Sequence, residues 1–328
     1  MADQKTNFSR RHFLIGSMLA GAIPARGFGS VPSLKALGYK SPSEKLNIAA
    51  IGAGGRPLSV TRNCERENIV ALADVDWDRG KGGFEAWPKA AKYNDFRQML
   101  DKSGRDIDAV VIGTPDHTHA HCALACMQMG KHVYLEKPLT RTASEARFLT
   151  QAAQKYGVAT QMGNQGYSHD ATRVACEVIW SGEIGDVTEV HAWQGRASWP
   201  QGMAKVSPPT PVPDTLNWDG WLGGAAWRDY TVGDQDYADF VEARSAARVR
   251  PGGGRRRQQF GFYLPFNWRG FYDFGSGLIG DWGIHILGPA NWGLQLSPAS
   301  LISVECVKKD TFPPFTFPDY LTIKYEFA

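Results

Sequence analysis

The fold is indicated by residues 46–56, LNIAAIGAGGR, in which a short apolar run leads directly into a glycine-rich turn. An apolar run of this length is typical of a strand that is buried on both faces of a parallel sheet. Four further runs of this kind lie at residues 69–73, 109–112, 132–135 and 158–162. Residues 120–129 and 143–156 lie between them and have the helical period. The alternation predicts an α/β fold whose parallel sheet is doubly wound.

The turn after the first strand has the spacing of a dinucleotide-binding loop. Gly52 permits a tight turn, Gly54 lets the backbone approach a diphosphate, and the following helix supplies N–H donors. Pro57 replaces the third glycine of this pattern, and the first turn of a helix tolerates proline. Asp74 ends the second strand about 20 residues later, where an acid binds ribose hydroxyls and disfavours a 2′-phosphate. NAD is therefore the predicted cofactor, with NADP possible because Arg56 could hold that phosphate.

Two segments account for the formal net charge of +3 on this chain of 328 residues. Residues 1–25 carry a net +2, and residues 244–257 carry six arginines and no acid. The arginines flank the sequence Pro251-Gly252-Gly253-Gly254, which is typical of a solvated loop, so we expect no nucleic-acid partner. No apolar run reaches the roughly 18–20 residues that span a bilayer, so we expect no membrane association beyond export.

The N-terminal segment resembles a signal for export through the twin-arginine pathway. Arg10 and Arg11 precede Phe13 and a short stretch rich in glycine and alanine, which ends near Ala25. We expect a periplasmic or otherwise exported protein, with residues 1–44 forming the signal and a linker. The alternative is a short amphipathic helix that stays on the protein, although the glycine content suits a helix poorly.

The cysteine and histidine residues do not form the pattern of a disulfide scaffold or a metal site. Five cysteines are an odd number without framework spacing. Cys122 and Cys126 lie near His117, His119 and His121, but the histidines alternate just before a predicted helix and cannot share one of its faces. No further ligand pair has zinc-type spacing, so we predict no metal site.

Asp281 and His285 are four residues apart, so on a helix their side chains face the same way. Oxidation of a hydroxyl needs a base for its proton, and an imidazole with an unperturbed pKa of about 6.5 suits that role. A lysine ammonium nearby would stabilise the developing alkoxide. The alternative is an aspartate at a helix N-terminus followed by a buried structural histidine.

Several motifs in order resemble the Gfo/Idh/MocA family of nicotinamide-dependent sugar oxidoreductases. They are Gly52-Ala53-Gly54-Gly55-Arg56, Thr114-Pro115-Asp116-His117-Thr118-His119, Glu136-Lys137-Pro138 and the residues around Asp281 and His285. The resemblance implies a Rossmann domain at 45–166. It also implies a second α+β domain at 167–328 with an open, mostly antiparallel sheet, and a site between the two. Because the chain stops in an alternating strand at 321–328, we expect this second domain to be truncated.

The resemblance also implies the roles of individual residues. Lys137 would contact the nicotinamide ribose and the substrate hydroxyl, His285 would be the acid/base, and Asp281 would position the substrate or the histidine. The cofactor would be bound by Gly52, Gly54, Gly55, Arg56, Asp74, Thr114, Pro115, His119, Glu136, Lys137, Asn164 and Gln165.

The chain contains eleven tryptophans, mostly after residue 190. Indole faces pack against sugar rings, although any single tryptophan is more often part of a core. Residues 186–195 alternate like a half-buried strand. Trp193, Arg196 and Trp199 resemble the motif of the exported branch of the family and are predicted to face the substrate.

The expected function is hydride transfer between a tightly bound, recycled NAD(P) and a hydroxyl of a sugar or glycoside outside the cytoplasm. The partner would be a small carbohydrate, and a homo-oligomer would form through the sheet of the second domain. Two alternatives stay open. One is redox-neutral, NAD-dependent glycoside cleavage or epimerisation, and the other is a carbohydrate-binding protein without catalysis.

Overall fold

The computed structural model describes residues 44–195, 199–246, 261–310 and 313–328. Residues Lys45–Ala328 belong to one compact unit. The predicted export signal and most of the arginine-rich stretch lie outside the described residues. Within the described part of the chain, no helix is both long enough and apolar enough to cross a membrane.

A six-stranded sheet with the order β3-β2-β1-β4-β5-β6 forms the first half of the unit, and every neighbouring pair is parallel. Its strands are β1 (Asn47–Ile51), β2 (Asn68–Ala73), β3 (Ala91–Tyr93), β4 (Ala109–Ile112), β5 (His132–Glu136) and β6 (Thr160–Gly163). The strand order reverses at β1, where β2 lies on one side and β4 on the other. Parallel sheets bind ligands at such a point, beyond the carboxyl ends of the strands.

Five helices connect the strands, namely α1 (Gly55–Arg62), α2 (Trp77–Ala86), α3 (Phe96–Ser103), α4 (Asp116–Gln128) and α5 (Ala143–Tyr156). Alternate residues of β1 point to opposite faces, so Ala49 and Ile51 belong to one core and Ile48 and Ala50 to another. The predicted doubly wound sheet is therefore confirmed. The sequence analysis missed β3, because three residues are too few to show a period.

The second half contains α6 (Asp170–Trp180), α7 (Trp218–Leu222), α8 (Gln235–Ala246), α9 (Gly277–Ile286), α10 (Gly288–Gly293), β7 (Leu301–Lys309) and β8 (Leu321–Phe327). β7 and β8 form a small antiparallel sheet. A separate aromatic core holds this half together, and its buried rings include Trp218, Trp221, Tyr263, Phe271 and Phe274. Four of the nine tryptophans of this half are buried, so fewer than half of those that could contact a sugar are core residues.

Two sequence predictions about local structure are wrong. Residues 186–195 form no strand, and all but Val187 are exposed. Alternation stabilises a strand only where a neighbour completes the hydrogen-bond ladder and a face is covered, and none of the described strands pairs with this segment. In addition, His117, His119 and His121 lie within α4 rather than before it.

Candidate functional site

The glycine-rich loop keeps its tight turn despite the proline at position 57. Gly52 has a φ of 92°, and a Cβ on either Gly52 or Gly113 would lie 2.7 Å from Cγ of Pro57. The proline ring thus packs against two glycines, one in the loop and one directly after β4. The N-terminus of α1 has neither a side-chain cap nor an acid in its first turn, so its N–H groups are suited to an anion.

Asp74 ties the end of β2 to the glycine-rich loop. Its Oδ2 accepts a hydrogen bond from the N–H of Ala53 at 2.8 Å, and its Oδ1 accepts one from the N–H of Asp76 at 3.0 Å. Burial raises the pKa of this carboxyl, and the two backbone hydrogen bonds oppose that rise. A carboxylate has acceptor capacity beyond two hydrogen bonds, so ribose binding stays a valid prediction for Asp74.

Arg56 is bound to the end of β5. Its Nε lies 2.9 Å from Oε1 of the buried Glu136, and its Nη1 lies 3.5 Å from Oγ of Ser59. A guanidinium held in this way is directed away from the end of β2, where a 2′-phosphate would lie. The structure therefore does not support Arg56 as the group that would admit NADP.

Lys137 connects the two halves of the unit. It follows β5 directly, and its Nζ donates to the carboxylate Oδ1 of Asp281 at 3.1 Å and to the main-chain oxygen of the same residue at 2.9 Å. Asp281 lies in α9, and its carboxyl group is only 5% exposed. The structure thus brings together the lysine and the aspartate that the motifs predicted.

Arg269 is the residue of this site that the sequence analysis missed. Its Nε donates to the same Oδ1 of Asp281 at 3.0 Å, so one carboxylate oxygen is shared by two cations. The guanidinium carbon lies 4.1 Å from the ring centroid of Trp268 and 4.8 Å from that of Phe266. These rings fix the direction from which Arg269 approaches the carboxylate.

His285 lies one turn beyond Asp281 in α9 and is partly buried. Burial lowers the pKa of His285, and the positive charge of Lys137 lowers it further, while a hydrogen bond with the main chain of Gln165 and the charge of Asp281 act in the opposite direction. A pKa below the usual value keeps the imidazole neutral at pH 7, so it can accept a proton. The predicted trio of Lys137, Asp281 and His285 is therefore assembled at one place.

Asp116 adds a second carboxyl group to the site. It is the first residue of α4, is fully buried, and accepts a hydrogen bond from Oγ of Ser276 at 2.8 Å. Burial and the nearby charge of Asp281 raise the pKa of Asp116 to about 7, although Ser276 and two cations favour its charged form. In the sequence this acid resembles an ordinary first-turn residue that favours the helix dipole.

Two polar side chains near the ends of β4 and β6 fit a bound dinucleotide. The hydroxyl of Thr114 and the amide of Asn164 are buried and make no hydrogen bond of good geometry with the described residues. Buried polar groups need partners, and a dinucleotide carries many. His119 is bound between the carbonyl oxygens of Thr114 and Pro138, at 2.8 and 2.9 Å, so it joins the ends of β4 and β5.

The three residues predicted to face the substrate are not brought together by the described structure. Trp199 is 2% exposed, and its Nε1 donates to the Gln201 side chain. Trp193 is 80% exposed, and Arg196 lies outside the described residues. Among the described residues, no group of three or more His, Cys, Asp or Glu is arranged to hold a metal ion.

Comparisons with known proteins agree with the first half of the unit. Residues 46–164 match the Gfo/Idh/MocA family model, described as an oxidoreductase family with an NAD-binding Rossmann fold. The chain is 32% identical over 199 residues to a glycosyl hydrolase family 109 protein of Solibacter usitatus, covering 55% of this chain and 44% of the relative. It is 34% identical over 154 residues to inositol 2-dehydrogenase 1 of Saccharopolyspora erythraea, covering 44% of each.

A solved structure supports the fold over a longer range. The WlbA dehydrogenase from Chromobacterium violaceum, solved with NADH and UDP-GlcNAcA, matches with a TM-score of 0.54 at 16% identity, covering 88% of this chain and 65% of that one. This chain spans about half the length of the curated relatives named above.

The sheet order, the glycine-rich loop and the acid after β2 together define a dinucleotide-binding Rossmann domain. The family-model match covers the same residues, so this part of the chain is an NAD-binding Rossmann domain that is similar to those of the Gfo/Idh/MocA oxidoreductases.

Proposed function

We propose that this chain is an exported, NAD-dependent oxidoreductase that oxidises a hydroxyl of a sugar or glycoside. The observation that carries the proposal is the contact between Lys137, at the carboxyl end of β5, and Asp281, with His285 one turn away. It supplies a cation and a base where a ligand of the parallel sheet would lie. When bound, NAD supplies the acceptor for the hydride that leaves the carbinol carbon.

The protein's own groups account for the remaining requirements of the reaction. The ammonium group of Lys137 is positioned to stabilise the oxygen of the substrate as negative charge develops on it. The neutral imidazole of His285 can take the hydroxyl proton. Asp281 and Arg269 fix the position of the ammonium group, since Asp281 accepts from both cations through one oxygen.

The twin-arginine motif leads us to propose that the cofactor is loaded before export and stays bound. Outside the cytoplasm little free dinucleotide would be available for exchange. The test is to purify the exported protein without added cofactor, denature it and quantify the released NAD. We expect close to one NAD per chain, whereas an empty protein that binds NAD weakly would refute retention. Replacing both Arg10 and Arg11 by lysine should keep the protein in the cytoplasm.

A second candidate is redox-neutral cleavage of a glycoside, in which oxidation is transient. The similarity to a glycosyl hydrolase family 109 protein favours it. The two reactions are separated by screening glycosides with the cofactor-loaded protein and analysing the products. Net oxidation yields an oxidised sugar and reduced cofactor, whereas cleavage releases the aglycone with no net change in absorbance. Sugar binding without any product would instead indicate a carbohydrate-binding protein.

We also propose that copies of the chain associate through the sheet of β7 and β8. All residues of β7 are exposed, including Ile302, Val304 and Val307. An exposed apolar strand edge is a template for pairing with another chain. Light scattering should give more than one chain per particle, and replacing Ile302 and Val304 by lysine should reduce that number.

A further inference from the structure

Arg79 lies across the glycine-rich loop. It is in the first turn of α2, where its N–H donates to Oδ1 of Asp76 at 3.1 Å and so fixes its backbone. A Cβ on Gly54 would collide with the carbonyl oxygen of Arg79 and would lie 2.8 Å from its Cγ. A Cβ on Gly55 would collide with its Nη2. The side chain therefore covers the loop from its base to the guanidinium.

The guanidinium of Arg79 has no hydrogen bond or ion pair with any residue that the structure describes. Partial burial lowers its pKa, and the charges of Asp74 and Asp76 oppose that change. An arginine remains protonated under such conditions. Asp74 and Asp76 act on Arg79 through their charges but form no ion pair with it, and the carboxylate of Asp74 accepts from the N–H groups of Ala53 and Asp76.

The other arginine of the loop differs in this respect. Arg56 also belongs to the glycine-rich segment, but it is paired with Glu136 at 2.9 Å and is directed toward β5. The loop thus has one arginine that forms an ion pair and one whose guanidinium forms none with the described residues. The guanidinium of Arg79 lies against Gly55, the first residue of α1, and the N-terminus of α1 has no side-chain cap.

We propose that Arg79 binds the diphosphate of the dinucleotide, opposite the N–H groups at the start of α1. The guanidinium fork matches two anionic phosphate oxygens, which the diphosphate supplies. Arg79 would then strengthen the binding of NAD and NADP alike. It would also slow the loss of cofactor, which deepens the retention proposed above.

The test compares Arg79→Ala with Arg62→Ala, which removes the same charge from an exposed position in the last turn of α1. Each cofactor-free, full-length variant is titrated with NADH and NADPH by fluorescence, and with ADP-ribose by calorimetry. Hydrogen bonds to charged groups contribute about 1.5–3 kcal/mol, so Arg79→Ala should raise the Kd for NADH and ADP-ribose by roughly tenfold to a hundredfold. Arg62→Ala should raise them less than about threefold, because an exposed charge at the far end of α1 is screened by solvent.

Three outcomes would overturn the proposal. A loss confined to NADPH would show that Arg79 binds a 2′-phosphate. Equal, small effects of both substitutions would show that only the overall charge of the domain matters. An unchanged Kd in Arg79→Ala would exclude any contact. If Arg79→Ala does not fold, Arg79→Met keeps the stem over the loop and tests the guanidinium alone. No substrate enters these titrations, so their failure would leave the proposed sugar oxidation standing.

Discussion

The two halves of the molecule bury their side chains in different ways. In the NAD-binding half, β1 lies between two cores, and Ala49, Ala50 and Ile51 are all buried. In the second half, β7 is exposed along its whole length. The first sheet is covered because the helix after each strand packs back onto it. Among the described elements of the second half, no helix covers the sheet in this way. The stability of this half therefore depends on its aromatic core and not on its sheet.

The largest expected effect tests this separation. Phe271 is 1% exposed and packs against Phe262, Tyr263 and Phe274. Phe271→Ala should lower the free energy of unfolding by about 3–5 kcal/mol, because it leaves a cavity in the aromatic core. Val304→Ala in β7 should change it by less than about 0.5 kcal/mol in the dissociated chain, where Val304 is exposed. Urea titrations of both variants measure the difference, and equal effects would contradict the separation.

The second prediction concerns the contact between Lys137 and Asp281, which joins the two halves. Lys137→Ala should lower kcat by about a hundredfold to a thousandfold, as expected when one preorganised charge is removed from an active site. The Kd for NADH should change by less than about threefold, because the predicted contact of Lys137 with the nicotinamide ribose is one among many that would hold the cofactor. Lys89, an exposed lysine of the same domain, provides the control variant Lys89→Ala. A large loss of NADH affinity in Lys137→Ala would assign the lysine to cofactor binding instead.

Substitution of Arg269 tests how the contact between Lys137 and Asp281 is held in place. Arg269→Lys keeps the charge but loses the planar fork that stacks on Trp268 and donates to Asp281. We expect kcat to fall by roughly tenfold to a hundredfold with little change in KM, because the carboxylate would no longer hold Lys137 in one position. Arg97→Lys, in an exposed pair with Asp95, is the matched control. A change in KM alone would indicate that Arg269 contacts the substrate.

The contrast between the halves also explains what the sequence could predict. Strands of a covered parallel sheet carry local signals, so β1 and the loop at Gly52 were predictable, and so was Lys137 from its motif. Arg269 carries no such signal, because its role depends on Trp268 and on an acid in another element. Arg56 and Arg79 are alike as residues, and only the packing of α2 on Gly54 and Gly55 decides which one covers the loop.

The tryptophans and the segment 186–195 show the limit of pattern reading in the second half. Trp199 and Trp193 both lie in a stretch that resembles a substrate motif, yet one is buried and the other exposed. A tryptophan that contacts a sugar and a tryptophan in a core look the same in the sequence, because only long-range contacts distinguish them. The same holds for residues 186–195. Their alternating pattern can form a strand only where a neighbouring strand pairs with it.

The smallest expected effect decides which group accepts the proton. The pKa of His285 is lowered from its usual value, whereas that of Asp116 is raised to about 7. Each base works only when deprotonated, so oxidation should weaken as the pH falls through the pKa of the group that acts. If His285 is the base, kcat/KM should change by less than about twofold between pH 7 and pH 8. The fall of kcat/KM on the acid side of the pH profile, its acid limb, should then lie below about pH 6.5.

The matched variants Asp116→Asn and His285→Gln separate the two groups. Asp116→Asn can keep the hydrogen bond from Ser276 and should leave the fall of kcat/KM at acidic pH in place, because the charges that act on His285 are those of Lys137, Asp281 and Glu136. His285→Gln should remove the limb. If the limb instead lies near pH 7 and disappears in Asp116→Asn, the buried carboxyl at the start of α4 is the base, and the NAD-binding half alone then carries the proton transfer.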